Sequence, residues 1–137
     1  ELSNNGIDKE RIVFAERMNH NDHLSRYSCG DLFLDTFNYN AGTTATDALS
    51  SGLPLITLLG KSYSARIASS ILNSCGLNEL ITYNQSEYEA LAYKIATNKQ
   101  KHKQLIEKIV NKRNCSFFDS SKFTKDLESI YMKIIPN

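Results

Sequence analysis

Asp31-Leu32-Phe33-Leu34-Asp35, then Asn40-Ala41-Gly42-Thr43-Thr44-Ala45-Thr46-Asp47, then Pro54-Leu55-Ile56-Thr57-Leu58-Leu59 and Gly60 follow one another through the first half of the chain. The outer two segments are nearly continuous apolar runs rather than alternations, as strands buried on both faces of a parallel sheet read. Between them, Thr43 to Ser51 carries Ala45, Ala48 and Leu49 at helical spacing and stops at Gly52. Buried strand, helix and second buried strand form the crossover unit of an α/β fold.

Working outward, Arg11-Ile12-Val13-Phe14-Ala15 reads as a further strand, and Asn21 to Cys29 as a short helix carrying Leu24 and Tyr27. Downstream, Ser64 to Cys75 sets Ala65, Ala68, Ile71, Leu72 and Cys75 on one helical face, with Gly76 placed for a left-handed end. Gln85 to Asn114 predicts one long amphipathic helix or two broken near Thr97-Asn98, and Phe123, Leu127, Ile130, Tyr131 and Ile134 predict a terminal helix. The expected architecture is α/β: a doubly wound, Rossmann-like parallel sheet with helices on both faces, one domain over residues 1–137.

Composition fits that reading. Of 137 residues 41% are hydrophobic and 23% charged, and 16 basic against 15 acidic side chains leave a net charge of +1. A chain of this size buries roughly two thirds of its unfolded surface, enough for a core without disulfides or metal. Near-zero charge argues against nucleic acid or an anionic membrane as partner, leaving only a local cluster at Lys99, Lys101 and Lys103. The longest apolar run, Leu53 to Leu59, falls far short of the roughly 20 residues that span a bilayer. Glu1-Leu2-Ser3-Asn4-Asn5-Gly6 has no initiating Met and no signal-peptide pattern, so the chain is expected to be a piece of a longer protein. Cys29, Cys75 and Cys115 are odd in number and widely spaced, which disfavours a disulfide framework or zinc site and suggests a reducing cytoplasm.

The chemistry-bearing stretch is Asn40 to Asp47. Following a buried strand and opening a helix, it lies at the carboxyl edge of the sheet, where such folds bind ligands. A helix start offers unmatched N–H groups and the positive end of a dipole; Gly42 permits close approach, and the Thr43 and Thr44 hydroxyls add donors. Together they suit a diphosphate, while Asp47, a turn further on, suits a neutral diol such as ribose. Thr44-x-x-Asp47 is equally a capping box satisfying the helix's own N–H groups.

In the loop after the first expected strand, His20, His23 and Arg26 could stack on a base or meet phosphate. The plainer alternative has Asn21-Asp22 capping a helix that leaves both histidines solvated. As metal ligands His20 and His23 are half a site, needing Asp31 or Asp35 as well. Gly60-Lys61-Ser62 is no P-loop, since Leu55 stands where the loop's first glycine belongs, and Arg66, on a helix bordering the same ligand edge, stays open between a place at that edge and a purely structural role at the surface or in the interior. No Gly-x-Ser-x-Gly, His-Glu-x-x-His, Gly-x-Gly-x-x-Gly or Asp-x-Asp occurs.

Taken in order, Arg11-Ile12-Val13-Phe14, His23, Asp31 to Thr36, Asn40-Ala41-Gly42-Thr43-Thr44-x-x-Asp47-Ala48-Leu49-x-x-Gly52-Leu53-Pro54, Arg66-Ile67-Ala68-Ser69-Ser70, Gly76-Leu77-Asn78-Glu79-Leu80-Ile81 and Phe123-Thr124-x-x-Leu127-Glu128-x-x-Tyr131 resemble the carboxyl-terminal catalytic lobe of the O-linked N-acetylglucosamine transferase and SPINDLY family, from about Gly6 to Tyr131. The resemblance implies the carboxyl-terminal half of a two-lobed GT-B glycosyltransferase. Such an enzyme is metal-independent and inverting, binds a UDP-sugar, typically UDP-N-acetylglucosamine, and modifies Ser or Thr of proteins. By position it implies Thr43 and Thr44 at the diphosphate, Asp47 at the ribose, His23 at the uracil and Arg26 in support. The family often has His where this chain has Gly42, and Lys where it has His20. The acceptor groove and tetratricopeptide repeats belong to an amino-terminal part absent here, so the chain alone is expected to bind weakly and catalyse nothing. Alternatives are a degenerate, non-catalytic scaffold lobe, or a transferase using another sugar or an Asn acceptor.

Overall fold

The computed structural model describes residues 3–111 and 115–135. In chain order the elements are α1 (His20–Arg26), β1 (Phe33–Leu34), α2 (Thr43–Ser50), β2 (Leu55–Leu58), α3 (Ile67–Ser74), β3 (Ile81–Thr82), α4 (Gln85–Thr97), α5 (Lys99–Asn111) and α6 (Ser120–Ile134), with short 3-10 turns between several of them.

The strands form one sheet in the order β1-β2-β3, every pair parallel, with Phe33 opposite Leu55 and Thr57 opposite Ile81. Leu55 and Ile56 are wholly buried, as the unbroken apolar run requires of a central strand paired on both sides and packed by helices. Ala45 and Leu49 from α2, Ala68 and Leu72 from α3, Tyr88 and Ile95 from α4, and Leu105 and Ile109 from α5 close one core around them. Each wholly buried Leu or Ile contributes roughly 1.5–3 kcal/mol.

Local signals set the boundaries. The α3 helix ends at Cys75 because Gly76 takes the left-handed conformation, φ 66°, which returns Leu77 to the core, its N–H donating to the Leu72 carbonyl. Asn84 opens α4 by accepting from the Glu87 N–H. Helix then breaks at Asn98, whose side chain takes the Lys101 N–H, so the span from Gln85 is two helices. Residues 112–114, the end of that expected span, lie outside the described residues.

Three expectations are corrected. Arg11 to Ala15 forms no strand: Arg11 ends a 3-10 turn, and Val13 and Phe14 are 83% and 91% exposed. β-branched residues favour a strand only against a neighbour, and among the described residues this segment has none, since β1 pairs with β2 alone. Asn21-Asp22 does not open α1; Asn19 does, accepting from the Asp22 N–H at 3.0 Å while its own amide donates to the Asp22 carboxylate at 2.6 Å. Conversely, Ile81–Thr82 is a strand that periodicity did not indicate: two residues entering directly from a 3-10 turn.

Candidate nucleotide-binding site

The backbone leaves β1 at Asp35, bends through 36–42 and enters α2, so the helix start stands at the carboxyl edge of the sheet. Gly42 is its N-cap and no side chain caps it. The capping-box reading of Thr44 and Asp47 is therefore overturned: among the described residues no side chain caps the first-turn N–H groups. Thr46 turns its hydroxyl back on the Gly42 carbonyl, whereas Thr43 and Thr44 are exposed and their hydroxyls make no hydrogen bond among the described residues. A Cβ at Gly42 would meet only Ile67 Cγ2, at 3.6 Å, an ordinary van der Waals contact.

Asp35 holds this loop in place. Its carboxylate is 3% exposed and accepts from the Thr57 hydroxyl at 2.6 Å, the Ala41 N–H at 2.7 Å and the Thr36 N–H at 2.9 Å. Burial pushes the carboxyl above the usual carboxylate range, and these three donors pull it partly back. The Tyr88 hydroxyl donates to the Asp35 carbonyl at 3.0 Å and is itself pushed up to about 12 by burial, so it stays a neutral donor. Asn40, also buried, donates to the Thr36 carbonyl at 2.8 Å. The first turn of α2 thus rests on a braced loop, a role for Asp35 and Asn40 that the sequence reading missed. The available signal was an acid at a strand's end, weighed there only as a metal ligand.

Two adjoining hollows meet at Thr44. One, of about 550 Å³, runs from Phe33, Leu34 and Asp35 past Tyr39 and Asn40 to Gly42, Thr43 and Thr44. The other, of about 310 Å³, is lined by His23, Arg26, Tyr27, Gly30, Phe33, Thr44 and Leu53. Phe33 and Thr44 belong to both, which brings the α1 residues to the helix start.

Within α1 a hydrogen-bonded relay orders the side chains. The Arg26 guanidinium donates to the Glu16 carbonyl at 3.2 Å and to His23 Nδ1 at 2.9 Å. Guanidinium only donates, so Nδ1 is the acceptor and Nε2 carries the imidazole proton. Nε2 then donates to the Tyr27 hydroxyl at 3.3 Å, and that hydroxyl donates to the Thr44 carbonyl at 3.4 Å. Burial raises the Tyr27 pKa, with the Asp47 charge adding to it and Arg26 opposing. Tyr27 is thus the link between His23 and α2. Arg26 is committed to these contacts, which suits support rather than bidentate capture of phosphate.

Of the remaining expected residues, half-buried Asp47 faces Tyr27 electrostatically, whereas His20 stands exposed at the first position of α1 and lines neither hollow. Arg66 is exposed, which removes the buried structural alternative. It lines a larger hollow of about 690 Å³ with Tyr63 and Tyr83, but no expected ligand residue is there. Gly60 serves packing: a Cβ there would lie 2.4 Å from that of Ala65. Among the described residues no group of three or more His, Cys, Asp or Glu could hold a metal ion, and no helix is long and apolar enough to cross a membrane.

The geometry agrees with similarities to known proteins. The family model for glycosyl transferase family 41 matches residues 1–127. The chain is 33% identical over 131 residues to the probable UDP-N-acetylglucosamine–peptide N-acetylglucosaminyltransferase SEC of Arabidopsis thaliana, covering 94% of this chain and 13% of that protein. It is 31% identical over 126 residues to the UDP-N-acetylglucosamine–peptide N-acetylglucosaminyltransferase of Caenorhabditis elegans, covering 91% and 11%. Superposed on a point mutant of Thermobaculum terrenum O-GlcNAc transferase, it gives a TM-score of 0.89 at 32% identity, covering 96% of this chain and 26% of that one. The chain therefore spans only a small part of the relatives it matches. It belongs to glycosyl transferase family 41, and its sheet is the carboxyl-terminal, Rossmann-like half of a GT-B fold.

Proposed function

We propose that the chain is the nucleotide-sugar-binding lobe of a protein glycosyltransferase that moves N-acetylglucosamine from UDP-N-acetylglucosamine to Ser or Thr of proteins, with inversion and without a metal. The observation that carries this is the uncapped start of α2, with the free Thr43 and Thr44 hydroxyls, opening on hollows that also hold His23. In this reading the Thr43 and Thr44 N–H and hydroxyl groups hold the diphosphate. As the glycosidic bond breaks, charge develops on the departing phosphate oxygen, and these donors together with the helix dipole stabilise it. Asp47 takes the ribose hydroxyls, His23 meets the uracil side and Arg26 holds the His23 ring, while His20, exposed and outside both hollows, drops out of the donor contacts. Donors from a braced backbone do without a metal the work that a bridging cation does elsewhere.

The names of the relatives supply donor and acceptor class. The acceptor is a protein or peptide bound through an amino-terminal lobe and repeats, and the single domain of 1–137 acts only within that longer protein, in the reducing cytoplasm that three widely spaced cysteines suit. Gly42 favours a second reading, a lobe with one donor fewer that serves as scaffold or takes another sugar or an Asn acceptor. Incubating the full-length protein with an acceptor and a panel of UDP- and GDP-sugars, read by mass spectrometry, separates them. N-acetylglucosamine on Ser or Thr supports the proposal; another sugar, an Asn adduct or no transfer overturns it.

A further inference from the structure

Cys75 and Cys115 lie 40 positions apart in sequence, yet their Sγ atoms stand 3.2 Å from each other. A disulfide needs about 2.0 Å, so closing the pair takes a movement of about 1 Å. Cys75 terminates α3, its N–H bonded to the Ile71 carbonyl, and sits in the core. Cys115 precedes the 3-10 turn Ser116–Phe118, is half-buried, and has its carbonyl bonded by the Phe118 N–H. Both backbones are anchored, which keeps the two thiols facing. Cys29, the third thiol, is exposed.

We propose that Cys75 and Cys115 form a dithiol modification site that a small disulfide such as glutathione disulfide closes into an intrachain bridge. The more accessible Cys115 attacks as thiolate, forming a mixed disulfide and releasing one glutathione; the Cys75 thiolate then attacks the Cys115 sulfur and expels the second. Two thiols lose two protons and two electrons, and one glutathione disulfide becomes two glutathione thiols. The bridge encloses β3, α4 and α5 and ties the turn before α6 to the end of α3. That matters because none of α6 is buried: Phe117 and Phe118 are the residues that attach its approach to the core. Oxidation therefore latches the carboxyl-terminal segment to the sheet domain.

The test is a peptide map of the purified protein after equilibration with glutathione disulfide and blocking of remaining thiols. Tryptic peptides 67–94 and 114–122, which carry Cys75 and Cys115, should appear linked and together short of two hydrogens, while Cys29 appears only alkylated or as a glutathione adduct. In Cys115→Ser the linked species should vanish and Cys75 stay alkylatable on unfolding. Amide exchange at Phe118 should slow at least about tenfold in the bridged form. Glutathione adducts at Cys115 with no linked peptide would overturn the site, and a bridge that leaves Phe118 exchange unchanged would overturn the latch.

Discussion

Replacing Asp35 separates the brace beneath the helix start from the general cost of altering a core. In Asp35→Ala, the Thr57 hydroxyl and the Ala41 and Thr36 N–H groups lose their acceptor at once. A buried donor left unpaired costs roughly 1–3 kcal/mol, and Thr36 is open enough to recruit water, so a loss of about 3–5 kcal/mol is expected. Asp35→Asn keeps an oxygen for the two N–H groups and gives up mainly the Thr57 bond, so about 1–2 kcal/mol is expected at pH 7. The two also differ in pH response. Because burial raises the Asp35 pKa in the fold, the folded state holds that proton more tightly than the unfolded chain. The stabilising contribution of this group is present below the unfolded pKa and is lost as pH rises through the folded one. Acidification from pH 7 toward 4 should therefore favour the natural chain relative to Asp35→Asn, which does not titrate there. Urea unfolding of all three proteins at both pH values reads this. An Ala variant losing under about 1 kcal/mol, or a gap to the Asn variant that moves the other way on acidification, would refute the brace.

Gly42→His meets only an ordinary contact at its Cβ and places a donor beside Thr43, so UDP affinity should rise about three- to tenfold by calorimetry, as one added charge-assisted bond allows. Tyr27→Phe removes the hydroxyl that links His23 to the Thr44 carbonyl, and UDP binding should weaken about three- to tenfold with the thermal midpoint shifted by only a few degrees. Unchanged affinity in either variant would remove that contact from the account.

Sequence legibility followed how local each feature is. Leu55 to Leu58 and α2 were readable because an unbroken apolar run and a helical Ala-x-x-Ala-Leu stripe each carry their own burial pattern. Arg11 to Ala15 misled because strand preference is a preference for a neighbour, and that pairing is not a property of the segment. β3 was missed for the opposite reason: two residues hold no period, and what makes them a strand is the ladder to Thr57 and Leu58. In the site, Thr43, Thr44 and Gly42 were legible from helix-start chemistry, with the capping alternative settled only by the N-cap geometry. His23 and Arg26 were legible as residues, while the Tyr27 link between them and α2 depends on two helices meeting. Asp35 was visible but its role was not, since its partners Ala41 and Thr57 lie on a bend and on another strand.

The central claim is that the start of α2 binds the diphosphate of a nucleotide sugar, and calorimetric titration of UDP into the chain and its Thr44→Ala and Asp47→Ala variants tests it most directly. Weak but measurable binding is expected for the unmodified chain. Each variant should lose about five- to thirtyfold, the worth of one or two hydrogen bonds to a charged or diol group, with its circular dichroism unchanged. Equal binding by all three proteins, or none by any, would contradict the assignment.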